Sequence, residues 1–189
     1  IMRQIVTAAL VVVLCVAAPV AGGSGPGSPA KSTAAANQYK ALLKAYEEEE
    51  DAREFAGRFL QLALDHPKDA VAVDSLCWIA IHVTRGTELG RALVLLKQQH
   101  LSSKKLAPVC EALERKFSLP SEELLRGALA KNPHRNVRTQ ACFSLARFLE
   151  QKVTLRSKLA VQPELKPRFE QFYGKDFTRL LVSLKPAAA

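Results

Sequence analysis

An all-α fold of stacked antiparallel helical hairpins is predicted for this chain, on three observations. Apolar residues recur every three or four positions from Tyr39 to Leu184, and no stretch alternates as a strand would. A helix-turn-helix stretch occurs twice. Phe59 to Ala80 aligns with Leu125 to Ala146, matching Pro67 to Pro133, Val71 to Val137, Ile79 to Leu145 and Ala80 to Ala146, 66 positions apart. Each proline follows a polar residue, His66 or Asn132, where the missing amide donor stops one helix and suits the first turn of the next. A repeated helical pair builds a stack. An irregular helical bundle is the plainer arrangement of the same helices.

Taken in order, Tyr39, Leu42, Leu43 and Tyr46 share one helix face, and Phe55, Phe59, Leu62 and Ala63 continue it. The acidic run Glu47 to Asp51 between them contains no proline, so one long helix bent near Gly57 is expected, with the carboxylates on a solvated face. After Pro67, Val73, Leu76, Cys77, Ala80 and Val83 form a stripe that Trp78, Ile79 and Ile81 widen, which places this helix centrally. Leu89, Ala92, Leu93 and Leu96 mark a helix over 88–100. Leu106, Val109, Cys110, Leu113 and Phe117 mark another, which Pro108 kinks or opens. Leu124, Leu125, Ala128 and Leu129 follow Ser121-Glu122-Glu123, whose carboxylates suit a helix N-terminus. Beyond Pro133, with Asn132 as the expected cap, Val137, Ala141, Leu145, Phe148 and Leu149 face inward. Gln140, Ser144, Arg147 and Gln151 lie opposite, as a wet face. Phe169, Phe172, Tyr173, Phe177, Leu180, Leu181 and Leu184 keep helical spacing to the end.

The two hairpins and the residues between them give units of about 33 residues, a size and Ala/Leu-Pro pattern that resemble tetratricopeptide-like repeats, without their Trp-Leu-Gly opening. Outside this domain, residues 1–23 read as a signal peptide: Arg3, an uncharged run from Ile5 to Ala18, then small residues from Pro19 to Gly23. The run is about 14 residues, short of the roughly 20 that span a bilayer. Residues 24–33, rich in Gly, Pro and Ser, are expected to be a flexible linker, 34–184 a single helical domain, and 185–189 a disordered tail. Export to the periplasm or the extracellular space follows from that reading, with no transmembrane segment in the mature chain.

Net charge is +9, and residues 131–189 hold nearly all of it, with 12 Lys/Arg against 4 Asp/Glu. Arg135, Arg138, Arg147, Lys152, Arg156 and Lys158 are therefore candidates for polyanion binding. Their spread along the chain and the absence of interleaved aromatics argue for a solvated surface instead and against nucleic acid. Cys77, Cys110 and Cys142 are the candidate redox or disulfide residues of the exported domain. Three is odd, so one at least lacks a partner within the domain, and none makes a Cys-x-x-Cys pair. Burial as small hydrophobes, one internal disulfide and a reactive thiol all stay open. His66, His82, His100 and His134 are scattered without zinc-ligand spacing. No phosphate-binding glycine loop, nucleophile elbow or metalloprotease motif is found, so no catalytic, cofactor or metal residue is assigned and no enzyme activity is expected.

Tyr39-Lys-Ala-Leu-Leu-Lys-Ala-Tyr46, Arg58 to Asp69 (RFLQLALDHPKD), Leu106-Ala-Pro-Val-Cys110, Asn132-Pro-His-Arg135 and Phe172-Tyr-Gly-Lys175 together resemble the helical N-terminal region of exported bacterial redoxin (thioredoxin-like) proteins. In that family the helical part precedes a thioredoxin-fold domain that carries the redox cysteines. No residue here matches that domain, so the resemblance implies an accessory or partner-binding role, with a separate redoxin among the possible partners. The expected function is a non-catalytic helical module that binds a protein or peptide. The alternatives are a thiol-disulfide accessory and a polyanion binder.

Overall fold

The computed structural model describes residues 29–49 and 51–183, with side chains from Thr33 onward. Among the described residues there are nine α-helices and no strand: α1 (Pro29–Glu49), α2 (Ala52–Asp65), α3 (Ala70–His82), α4 (Thr87–Gln99), α5 (Leu106–Ala112), α6 (Leu119–Lys131), α7 (Arg135–Val161), α8 (Lys166–Tyr173) and α9 (Lys175–Ser183). The fold is all-α, as the apolar spacing requires. The signal-peptide reading of 1–23, most of the linker and the tail at 185–189 lie outside the described residues. So does Leu184. The last part of the expected linker is helical instead, because α1 already begins at Pro29.

The matched stretches are the hairpins α2–α3 and α6–α7, and these are the two most extensively packed helix pairs. Val71 and Val137 are both buried at equivalent points, as are Ile79 and Leu145. The copies part at Ala80, which is buried, and Ala146, which is exposed. That difference follows from position. Helix α3 touches α1, α2, α4 and α5, and buries Val71, Ala72, Ser75, Leu76, Cys77, Trp78, Ile79 and Ala80 all round its axis. Helix α7 keeps an open side.

The residues between the two hairpins do not make a third. Helix α4 packs on α3 and α6, while the seven-residue α5 packs on α7 and α3. The bundle is thus two regular hairpins joined by an irregular layer. One core runs through it, from Leu42 and Phe55 to Phe177 and Leu181.

Three local expectations are corrected. The first two helices are separate, because Asp51 adopts an extended backbone and its carboxylate accepts from the Arg53 amide at 2.9 Å, capping α2. Gly57 sits inside α2. Asn132 does not cap α7: its Oδ1 accepts from the His134 amide at 2.8 Å, and its Nδ2 donates to the carbonyls of Leu101 (2.6 Å) and Ser103 (3.0 Å). The buried amide therefore ties the Pro133 turn to the loop after α4. Ser144, expected on the wet face, is fully buried and donates to Glu114 at 3.1 Å.

Candidate functional site

The C-terminal third carries apolar relief open to solvent. Pro163 and Pro167 fix φ in the first turns of a 3-10 turn (Pro163–Leu165) and of α8, so the chain folds back sharply after α7. Gly174 takes φ 84°, a left-handed conformation that side chains resist, and turns α8 into α9. Tyr173 and Phe177 then pack on Phe117 and Phe148, and Phe169 on Tyr173, with ring centroids 5.1 Å apart for Phe117 and Phe148, 5.9 Å for Phe117 and Tyr173, 6.3 Å for Phe148 and Phe177, and 5.3 Å for Phe169 and Tyr173. This aromatic cluster holds α9 against α7.

The docking leaves two hollows. One, of about 320 Å3, lies between α7 and α9, floored by Leu159, Ala160, Leu181 and Val182 and rimmed by Arg156 and Lys166. The other, of about 450 Å3, lies beside α8, where Leu155, Phe169 and Phe172 meet Lys158 and Arg168. Val161, Phe172 and Val182 are 80%, 50% and 60% exposed around them. An apolar floor with cationic edges suits a segment that is apolar on one side and acidic on the other.

The fold does not bring the six basic candidates to one place. Helix α7 is about 40 Å long at 1.5 Å per residue, which sets Arg135 and Arg138 at one end and Arg156 and Lys158 at the other. Arg138 donates to the carbonyls of Asn132 and Pro133, both at 2.9 Å, and so staples the turn. Arg147 lies 3.6 Å from Glu114 and stacks over Phe143. Lys152 corrects the expectation most sharply: its side chain is 8% exposed and its Nζ donates to Glu122 at 2.6 Å. No polyanion reaches it there. Its position had a readable signal, since it stands four residues after Phe148 and three before Leu155, on the buried stripe.

The cysteines separate likewise. Cys77 in α3 and Cys110 in α5 are buried and free, and Cys142 in α7 is exposed and free. Burial pushes both the Cys77 and Cys110 thiols up to about 12, against thiolate chemistry. Cys77 Sγ lies 3.9 Å from the Lys105 carbonyl, a weak contact. Among the described residues no group of three His, Cys, Asp or Glu side chains is placed to hold a metal ion, and no helix is long and apolar enough to cross a membrane. Sequence reasoning also missed Lys116. Its Nζ donates to the carbonyls of Ala80 (2.6 Å), Ile81 (2.8 Å) and Val83 (2.7 Å), covering the last turn of α3. Nothing in the local pattern Glu-Arg-Lys-Phe marks it.

Comparison with known proteins finds no matching family, no matching curated relative and no matching solved structure.

Proposed function

We propose that this chain is a non-catalytic, exported helical module that binds an acidic, partly apolar peptide segment of a partner protein in the groove between α7 and α9. The observation that carries this reading is the groove itself: an apolar floor from Leu159 to Val182, open to solvent, beneath the cationic side chains of Arg156 and Lys166. Apolar contact supplies the affinity, at about 25 cal/mol per Å2 buried, and the charges select and orient the acidic partner. The signal-like start at 1–23 and the lack of a catalytic motif fit the same reading. A redoxin that carries such a segment is one partner of this kind.

The test is direct titration of a labelled peptide with glutamates on one helical face and leucines on the other. Binding is expected to weaken as salt rises, and to be lost in Val182→Asp, whose side chain is exposed and whose replacement leaves the core intact. No binding, or binding that Val182→Asp leaves unchanged, defeats the proposal.

A further inference from the structure

A third cavity lies where three interhelical turns meet. It measures about 290 Å3 and is lined by residues 84–86 of the α3–α4 turn with Leu89 and Gly90 of α4, by residues 115–118 and Pro120 leading into α6, and by Tyr173 and Gly174 between α8 and α9. Three cationic side chains line it: Arg85, Arg115 and Lys116.

None of the three has a carboxylate within 4 Å among the described residues. Of the nearest acids along the chain, Glu88 stays beside Gly86 and accepts from the Thr87 hydroxyl at 3.0 Å, and Glu114 accepts from Ser144 and faces Arg147. Lys116 spends its three protons on the carbonyls that end α3, so its charge reaches the cavity while its donors do not. Arg85 rests over the Phe172 ring at 5.7 Å, an aromatic contact that leaves its charge unneutralised. Arg115 is exposed.

Helices α4, α6 and α9 all begin at the cavity, with Glu88, Glu122 and Asp176 in their first turns and the Ser118 hydroxyl capping α6, so the two guanidinium groups rather than the helix ends supply its positive charge. Gly86 (φ 131°) and Gly174 (φ 84°) are the positive-φ glycines of the described residues, and both line the cavity. Phe117, Tyr173 and Leu89 supply apolar wall.

We propose that this cavity binds a small organic phosphate monoester, with the dianionic head between Arg85 and Arg115 and an apolar or aromatic body against Phe117 and Tyr173. Two guanidinium groups without a carboxylate partner favour a dianion over a monocarboxylate, and guanidinium groups match phosphate oxygens two at a time. The volume admits a small molecule and excludes a polymer. This site is separate from the α7–α9 groove, and either assignment stands without the other.

Phenyl phosphate is the probe, titrated calorimetrically against the full chain. Binding is expected to weaken about tenfold in Arg85→Gln and in Arg115→Gln, and to vanish in the double variant. Benzoate and inorganic phosphate are each expected to bind at least tenfold more weakly than phenyl phosphate, since one lacks the second charge and the other the ring. On the unmodified chain, amide resonances of Gly86, Gly90, Ser118 and Gly174 are expected to shift on addition of phenyl phosphate. Absence of binding, shifts confined to other residues, or affinity unchanged in the double variant overturns the site. Benzoate binding as tightly overturns the phosphate assignment.

Discussion

Lys152 carries an ammonium into the core, where Glu122 meets it at 2.6 Å and Arg126 reaches the other carboxylate oxygen at 2.8 Å. Breaking such a pair strands the remaining charge. Lys152→Met is expected to cost about 3–5 kcal/mol in urea unfolding, and Lys152→Met with Glu122→Leu to recover most of that loss. Burial alone would raise the Glu122 pKa, but the hydrogen bonds from Lys152 and Arg126 outweigh it and hold the carboxyl below its usual 4.5. Its contribution is therefore complete above pH 4.5 and is lost as pH falls through the lower folded value. His82 and His100 act earlier on acidification. Burial lowers both from 6.5, helped at His82 by the charge of Lys116, so the unfolded chain takes up protons there first. Thermal unfolding followed from pH 8 to 3 is expected to show a first decline below pH 6.5 and a steeper one below 4.5. Lys116 itself stays charged at neutral pH, although burial pushes it down to about 8. Lys116→Met uncovers three carbonyls at the end of α3 and is expected to lower stability by about 1–3 kcal/mol, measured by the same unfolding.

At the level of the helix, α7 does most to organise the second half of the molecule, touching α5, α6 and α9 along one stripe. Phe148 lies at its middle, fully buried among aromatic rings, while Phe143 is 55% exposed one turn away. Phe148→Ala is expected to cost about 3–5 kcal/mol, and Phe143→Ala under about 0.5, by denaturant titration of each variant. This contrast was legible, because the spacing of Val137, Ala141, Leu145 and Phe148 marks the inward side without knowledge of its neighbours. The prolines at 67 and 133 were legible for the same local reason. What could not be read were relations across the chain. The break before α2 depends on one capping carboxylate at Asp51, inside a run that reads as continuous helix. Asn132 serves the distant Leu101–Ser103 loop, and α4 and α5 seek other partners than each other. Charge misled at Lys152, since a lysine letter usually marks water even where its position fits the core stripe. Of the candidate sites, the cationic rim of the groove was half visible, as Arg156 without Lys166. The cavity at Arg85 and Arg115 assembles three turns far apart in sequence, and no local pattern announces it.

Across the whole molecule, two aromatic clusters stand apart, one on the first hairpin and one where α8 and α9 fold back on α7. Tyr39, Tyr46, Phe55, Phe59 and Trp78 gather around α2 and α3, and Phe117, Phe148, Phe169, Tyr173 and Phe177 around α7 and α9. Helices α4 and α5 join them into one core, which also encloses two of the thiols. With a thiol reagent, native protein lacking residues 1–23 is expected to react at Cys142 alone, and unfolded protein at Cys77 and Cys110 as well. Fast labelling of all three in the native state would contradict the burial of α3 and α5.

Trp78, the one tryptophan of the chain, is sandwiched between Phe59 at 4.0 Å and His82 at 4.9 Å. An imidazolium takes an electron from an excited indole more readily than the neutral ring does. The emission spectrum of this protein therefore reports two events from one side chain: a red shift when the first hairpin opens to water, and dimming, without any shift, when His82 gains its proton.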